Sequence, residues 1–155
     1  MNLRGYDPAT DGARLAVFRC STGAAFEDEV EQWIRADAIG WVNDLPRARF
    51  QRRMLSLIEE NGDLVAVAAW QDITRVDLEG VWLEVLAVSL DHQHHGHGVA
   101  SYDLVLDHLR SIERDGDHLA GLVHVDNARS KRLLDSRGWT FVSQWGDHGL
   151  WVGRL

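Results

Sequence analysis

The sequence predicts an α/β fold, a mixed β-sheet flanked by helices, and three observations carry that prediction. Residues 81–88 are an apolar run, interrupted only by Glu84 and rich in β-branched and aliphatic side chains, the composition of a buried strand. A polar turn, Gln93-His94-His95-Gly96-His97-Gly98, then leads into Val99, Tyr102, Leu106 and Leu109, which recur at the spacing of an amphipathic helix. Asn61-Gly62 between apolar segments is a strong hairpin signal, since both positions of a tight hairpin turn need positive φ. Together these give an order of strand, helix, three strands, helix, strand, helix and two strands, which a mixed sheet with helices on its faces satisfies.

In chain order, residues 1–13 are polar and contain Gly5, Pro8 and Gly12, so a loosely ordered lead-in is expected there. Residues 14–20 form a short apolar run, expected to be the first strand, and Ser21-Thr22-Gly23 breaks it. Phe26, Val30, Trp33, Ile34 and Ala38 repeat at helical spacing, with Glu27, Asp28 and Glu29 in a first turn where acids suit the dipole. Gly40 fits the stop, and residues 40–47 read as a connection stiffened by Trp41 and Pro46. A strand is expected from Arg53 to the Asn61-Gly62 turn, returning over residues 64–70, with residues 71–79 a polar link. The helix after the glycine turn is expected to reach about Arg114, and Asp115-Gly116-Asp117 is a turn. Residues 119–125 form the next strand and residues 128–136 the next helix, which Gly138 ends at its C′ position. Residues 139–144 and 149–155 close the chain as a hairpin around Gly146-Asp147. No repeat and no linker divides the sequence, so residues 1–155 are expected to form one domain.

Composition narrows the function classes. A chain of 155 residues that is 45% hydrophobic and 26% charged has the make-up of a globular domain with an ample core. No apolar run approaches the ~20 residues of a membrane span, and the opening residues lack a signal-peptide core. A single cysteine, Cys20, excludes an internal disulfide and fits a reducing cytoplasm. The net charge of −8 argues against a nucleic-acid partner, the only basic cluster being Arg47, Arg49, Arg52 and Arg53.

The glycine turn is the most informative stretch. Helix N-termini present backbone N–H groups without intrahelical partners, and the macrodipole adds positive character. Glycines remove the Cβ atoms that keep an anion from those donors, so this turn can cradle a phosphate. The G-x-G-x-x-G and G-K-[ST] patterns are both absent, which excludes the dinucleotide fingerprint and the P-loop. Leu86-Ala87-Val88 followed by Gln93-x-x-Gly96-x-Gly98 resembles the acyl-CoA pyrophosphate loop of the GNAT superfamily of N-acetyltransferases. That family's pattern is Arg or Gln, two residues, Gly, one residue, then Gly or Ala. Residues 125–139 resemble its second cofactor segment, with Asn127 ending a strand, a helix, then Gly138 and the aromatic Trp139. The resemblance covers about a third of the chain. It implies a mixed-sheet GNAT fold and acetyl-CoA as co-substrate. The implied cofactor contacts are Leu86, Ala87, Val88, Gln93, His94, His95, Gly96, His97, Gly98, Val99, Asn127 and Ser130. A helix N-cap is the alternative role of Asn127. Four histidines, His92, His94, His95 and His97, raise the question of a metal; weak positive character beside phosphates is the reading preferred, and no metal is expected.

Acetyl transfer to an amine needs a deprotonated amine, a polarised thioester carbonyl and a proton for the leaving thiolate. Glu84, the only charged residue within its apolar strand, is the first candidate base, and His124 on the next strand is the second. The backbone N–H of Val88 is the candidate donor to the carbonyl. Many family members take the thiolate's proton from a Tyr seven residues after the Asn, but that position here is Leu134. Tyr102 is read as core. Trp33, Trp41 and Trp145 are expected to wall an acceptor pocket, with Trp151 as a further wall, suiting a small-molecule or protein amine. A homodimer is compatible with this reading. The alternatives are a non-catalytic CoA-binding or protein-interaction module on the same fold, and a histidine-loop metal sensor. A faint likeness of Phe18-Arg19-Cys20-Ser21 and Trp33-Ile34-Arg35 to toxins that acetylate aminoacyl-tRNA is opposed by the acidic charge and by Leu134.

Overall fold

A computed structural model describes residues 1–43, 52–75 and 77–155. Its framework is a seven-stranded sheet in the order β1-β2-β3-β4-β5-β7-β6. The strands are β1 (Asn2–Gly5), β2 (Arg53–Glu60), β3 (Asp63–Arg75), β4 (Leu78–Val88), β5 (His118–His124), β6 (Thr140–Trp145) and β7 (His148–Arg154). Every neighbouring pair is antiparallel except β4 and β5. That single parallel pair follows from the crossover through helix α4 (His97–Ser111).

Two apolar layers hold the sheet. On one face, Tyr102, Val105, Leu106 and Leu109 of α4 pack with Ile58, Ala66, Ala68, Trp70, Val81 and Leu119. Helix α5 (Ala128–Ser136) adds Leu134, and Trp139 follows it. On the other face, Leu15, Phe18, Cys20, Ile34 and Ala38 pack on Leu55, Val67, Ala69 and Ala87. Leu15 comes from helix α1 (Gly12–Ala16), Phe18 and Cys20 from the segment after it, and Ile34 and Ala38 from a helical stretch running through α2 (Ala25–Gln32), a π-helical turn (Trp33–Asp37) and α3 (Ala38–Asn43).

Several expectations hold. Asn61 and Gly62 adopt φ of 55° and 92°, the paired positive values of a tight hairpin turn. The boundaries of α5 are those expected, and Gly138 follows with φ 77°. The final hairpin forms where expected.

Others are corrected. Residues 14–20 are not the first strand: Leu15 lies on α1, and Leu15, Phe18 and Cys20 are buried as a wedge under the sheet. The first strand is β1, inside the stretch expected to be loosely ordered, in register with β2 from Asn2↔Glu59 to Gly5↔Ser56. Its polar composition hid it. An ion network holds it down: Arg4 reaches both oxygens of Asp11 at 2.7 Å and bonds Glu59 at 2.9 and 3.0 Å. The fully buried Asp11 carboxyl is held at a pKa of about 2 by the Arg4 guanidinium, with a further bond from the Asp7 N–H at 2.7 Å. Gly40 does not stop its helix, which continues to Asn43. Residues 71–75 and 78–79 are not a link: they extend β3 and β4, with Asp72 facing Val81 and Ile73 facing Gly80. Helix α4 ends at Ser111, where Arg114 bonds the Leu109 and Ile112 carbonyl oxygens. The connection around Pro46, with Arg47 and Arg49, lies largely outside the described residues. Of its neighbours, Arg52 pairs with Asp72 at 2.7 Å, and Arg53 donates to the Trp41 carbonyl at 3.1 Å with its guanidinium over the Trp41 ring.

Candidate active site

The sheet opens at its one parallel pair. Only Gly80, Val81 and Trp82 of β4 pair with β5, through His118, Leu119 and Ala120; beyond that the strands diverge. The divergence exposes backbone donors and acceptors on the inner edges of both strands. At the same point β4 carries a bulge against β3: Ala69 faces Val85 and Trp70 faces Leu83, leaving Glu84 as the extra residue. A bulge bends its strand and re-aims one side chain, and here that side chain is the exposed Glu84.

A cavity of about 510 Å³ occupies the gap. Glu84, Leu86, Ala87 and Val88 line it from β4, and Gln93, His94, Gly96, Gly98 and Val99 from the turn and start of α4. Asn127 and Ser130 line it from the start of α5. His95, His97 and His124 are outside its lining, as are Trp33, Trp41 and Trp145. Trp33 and Trp41 pack edge to face, ring centroids 5.7 Å apart, against the core under α1 and α3. Trp145 is half-exposed on β6.

The turn is built to leave donors free. Gly96 is the N-cap of α4 with φ 80°, no side chain caps the helix, and no acid sits in its first turn. A Cβ at Gly96 would meet nothing within 4 Å, so the space over the helix start is open. Gln93 anchors the turn from below. Its Nε2 donates to the carbonyl oxygens of Cys20 at 2.7 Å and Val88 at 3.2 Å, while Oε1 accepts from Arg129 at 3.1 Å. Arg129 also reaches His94 Nε2 at 3.2 Å and so ties α5 to the turn. The histidines are individually engaged: His92 Nδ1 meets Ser89 Oγ at 3.3 Å, and His97 faces the His92 carbonyl at 3.0 Å and Glu60 at 3.3 Å. Among the described residues no group of three or more His, Cys, Asp or Glu is placed to hold a metal ion.

Asn127 serves as the N-cap of α5, its Oδ1 accepting from the Ser130 N–H at 3.0 Å. His124 stacks on Phe26, centroids 4.8 Å apart and planes 11° from parallel, and its Nδ1 accepts the Asp126 N–H at 3.1 Å. Tyr102 is in the core as expected, yet it and Trp139 line the cavity floor, where the indole donates to the phenol oxygen at 2.6 Å. Burial pushes the Tyr102 phenol up, so it stays protonated. Leu134 is buried beside them. Burial pushes the Cys20 thiol to about 12, with Glu31 adding to the effect, so it is inert at neutral pH.

The sequence reading missed Arg129, Arg132, Phe26, Glu27 and Leu122 in the lining. Arg129 stands inside the second cofactor segment, and a cation at a helix N-terminus, where the dipole disfavours it, was the available signal.

The sequence model described as the Acetyltransferase (GNAT) family matches residues 23–139. No curated protein matches the sequence. Among solved structures, PH1933 from Pyrococcus horikoshii OT3 superposes with a TM-score of 0.74 at 14% identity, covering 99% of this chain and 98% of that one. The PaiA N-acetyltransferase from Thermoplasma acidophilum, solved with coenzyme A, gives 0.71 at 16% identity over 99% and 98%. YncA from Salmonella typhimurium, described as a putative acetyltransferase with its cofactor acetyl-CoA, gives 0.60 at 19% over 100% and 94%. At these identities the likeness is one of fold.

Proposed function

This chain belongs to the GNAT family of acetyltransferases, and on that premise we propose that it transfers the acetyl group of acetyl-CoA to a primary amine by direct attack. The observation that carries the reading is the open parallel pair, with bulged Glu84 at its head and the uncapped start of α4 at its foot. The residues fit the co-substrate. The space over Gly96 suits a pyrophosphate bonded by the first-turn N–H groups of α4, with Gln93, Gly98 and the backbone from His94 to Val99 forming the cradle. The free edge of β4 at Leu86, Ala87 and Val88 suits the amides of an extended arm, and Asn127 and Ser130 flank it from α5. Acetyl-CoA supplies an activated acetyl group at the thioester end of that arm.

Glu84 is the base. An exposed carboxylate facing the cavity accepts the amine's proton directly or through one water. His124 is the second candidate, but it stands outside the cavity lining. Because its Nδ1 accepts the Asp126 N–H, the neutral ring carries its proton on Nε2 and has no free lone pair for the amine's proton, which leaves Glu84 as the base. Leu134 offers no proton, so the thiolate takes its proton from solvent. The same Leu134 favours the second reading, a CoA-binding module without turnover. Thiol release from acetyl-CoA across a panel of primary amines separates the two. Glu84→Gln is expected to lower kcat about 100-fold near pH 7 with acetyl-CoA affinity unchanged. An unchanged rate from about pH 6 to 9 removes Glu84 from the mechanism.

A further inference from the structure

Beyond the cavity mouth, three strands place their side chains in one row. His124 of β5 faces His148 of β7, and His148 faces Trp145 of β6, so all three project from the same side of the sheet. That side is the one covered by α2, because His124 stacks on Phe26 of that helix. His148 stands perpendicular to His124 with centroids 5.2 Å apart. Trp145 ends the row 48% exposed, its indole N–H held by Ser143 Oγ at 2.9 Å. Phe26 belongs at once to this row and to the cavity lining, and so joins the rings to the space that holds Glu84. Leu122, two residues before His124 on β5, also lines the cavity, so the row begins about 7 Å along the strand from it.

We propose that Phe26, His124, His148 and Trp145 form the shelf on which the acceptor lies, and that the acceptor is a primary amine carrying an aromatic ring. The inference rests on the acetyltransferase reading and narrows its substrate class. The shelf presents ring faces and edges, which favour offset or perpendicular stacking with another flat ring. The carboxylate beside the row, Asp126, lies 3.9 Å from His124 Nδ1 and is 79% exposed, so it offers a second ammonium group only a solvated, weak partner, whereas Glu84 and Glu27 line the cavity itself. An amine at Glu84 with its ring turned outward satisfies both ends. A diamine satisfies only one.

Binding to the CoA-loaded protein tests the proposal without requiring turnover. The probes are 2-phenylethylamine, n-butylamine and 1,4-diaminobutane, followed by calorimetry. The expected result is that 2-phenylethylamine binds about tenfold more tightly than either alkyl amine. Phe26→Ala is expected to erase that preference, since Phe26 is the ring that belongs to both the cavity lining and the row. Phe141→Ala is expected to keep it, since Phe141 packs on Trp151 on the opposite side of the β6–β7 hairpin. Equal affinities, a tighter diamine, a preference that survives Phe26→Ala, or no binding overturns the shelf. Thiol release with n-butylamine in such a case leaves the acetyltransferase reading standing. Shelf binding with no thiol release from any amine overturns that reading instead.

Discussion

Gln93 holds the glycine turn in shape, and its removal has a calculable effect. Its carboxamide donates to two carbonyl oxygens from separate parts of the chain, Cys20 before α2 and Val88 at the end of β4, and accepts from Arg129 on α5. Gln93→Ala strips all three bonds and leaves two part-buried carbonyl oxygens without their donor. At about 1 kcal/mol for each bond to a carbonyl, the turn loses about 2 kcal/mol of order. If the uncapped N–H groups of α4 bind the pyrophosphate, that ordering must be recovered on binding, so acetyl-CoA affinity falls about 30-fold. Gln93→Glu is worse than alanine for the turn, since a carboxylate then faces two carbonyl oxygens. Calorimetric titration with acetyl-CoA reads the affinity, and thermal melts check the fold. An alanine variant that binds within about threefold of wild type, well inside the expected 30-fold loss, refutes the argument that this side chain pre-organises the cradle.

Two further outcomes follow from the fold. Asp11 has a folded pKa of about 2 against an ordinary 3.8, so it contributes stability that is present above about pH 4 and lost as pH falls toward 2, worth about 2 kcal/mol. Urea unfolding is therefore expected to show wild type more stable than Asp11→Asn at pH 7, with the gap closing near about pH 2; a gap of equal size at both contradicts the role of Arg4. Gly116 has φ 71° and a Cβ there would stand 2.2 Å from the Glu79 carbonyl oxygen. Gly116→Ala is expected to cost about 3 kcal/mol, a fall in Tm of roughly 8 to 10 °C, and an unchanged melt contradicts that close approach.

Local chemistry explains what the sequence disclosed. Asn61-Gly62 announces its hairpin because few residues tolerate two positive φ values in succession, and the two glycines of the cradle announce a helix start that must stay uncovered. What stayed hidden depends on distant partners. Strand β1 has the polar composition of a loop and exists because Arg4 finds Asp11 and Glu59, the latter 55 residues away. At the outer end of the β3–β4 hairpin, Gln71, Asp72 and Ile73 are all half-buried, so no apolar alternation marks them as strand. In the candidate site, Glu84 stood out as a charge in an apolar strand, but its exposure comes from a one-residue bulge that only the register with β3 reveals. The tryptophans misled differently: Trp33 and Trp41 look like a pocket wall in sequence and pack into the core, while the row ending at Trp145 arises from cross-strand pairing.

The central claim, that the glycine turn and the open β4–β5 pair hold acetyl-CoA, is tested most directly by calorimetric titration of the wild-type chain and Gly96→Glu, with EDTA present. The account predicts micromolar binding by wild type, indifferent to the chelator, and none by Gly96→Glu, whose side chain places a carboxylate in the open space over the start of α4. Equal binding by the two proteins, or none by wild type, contradicts it.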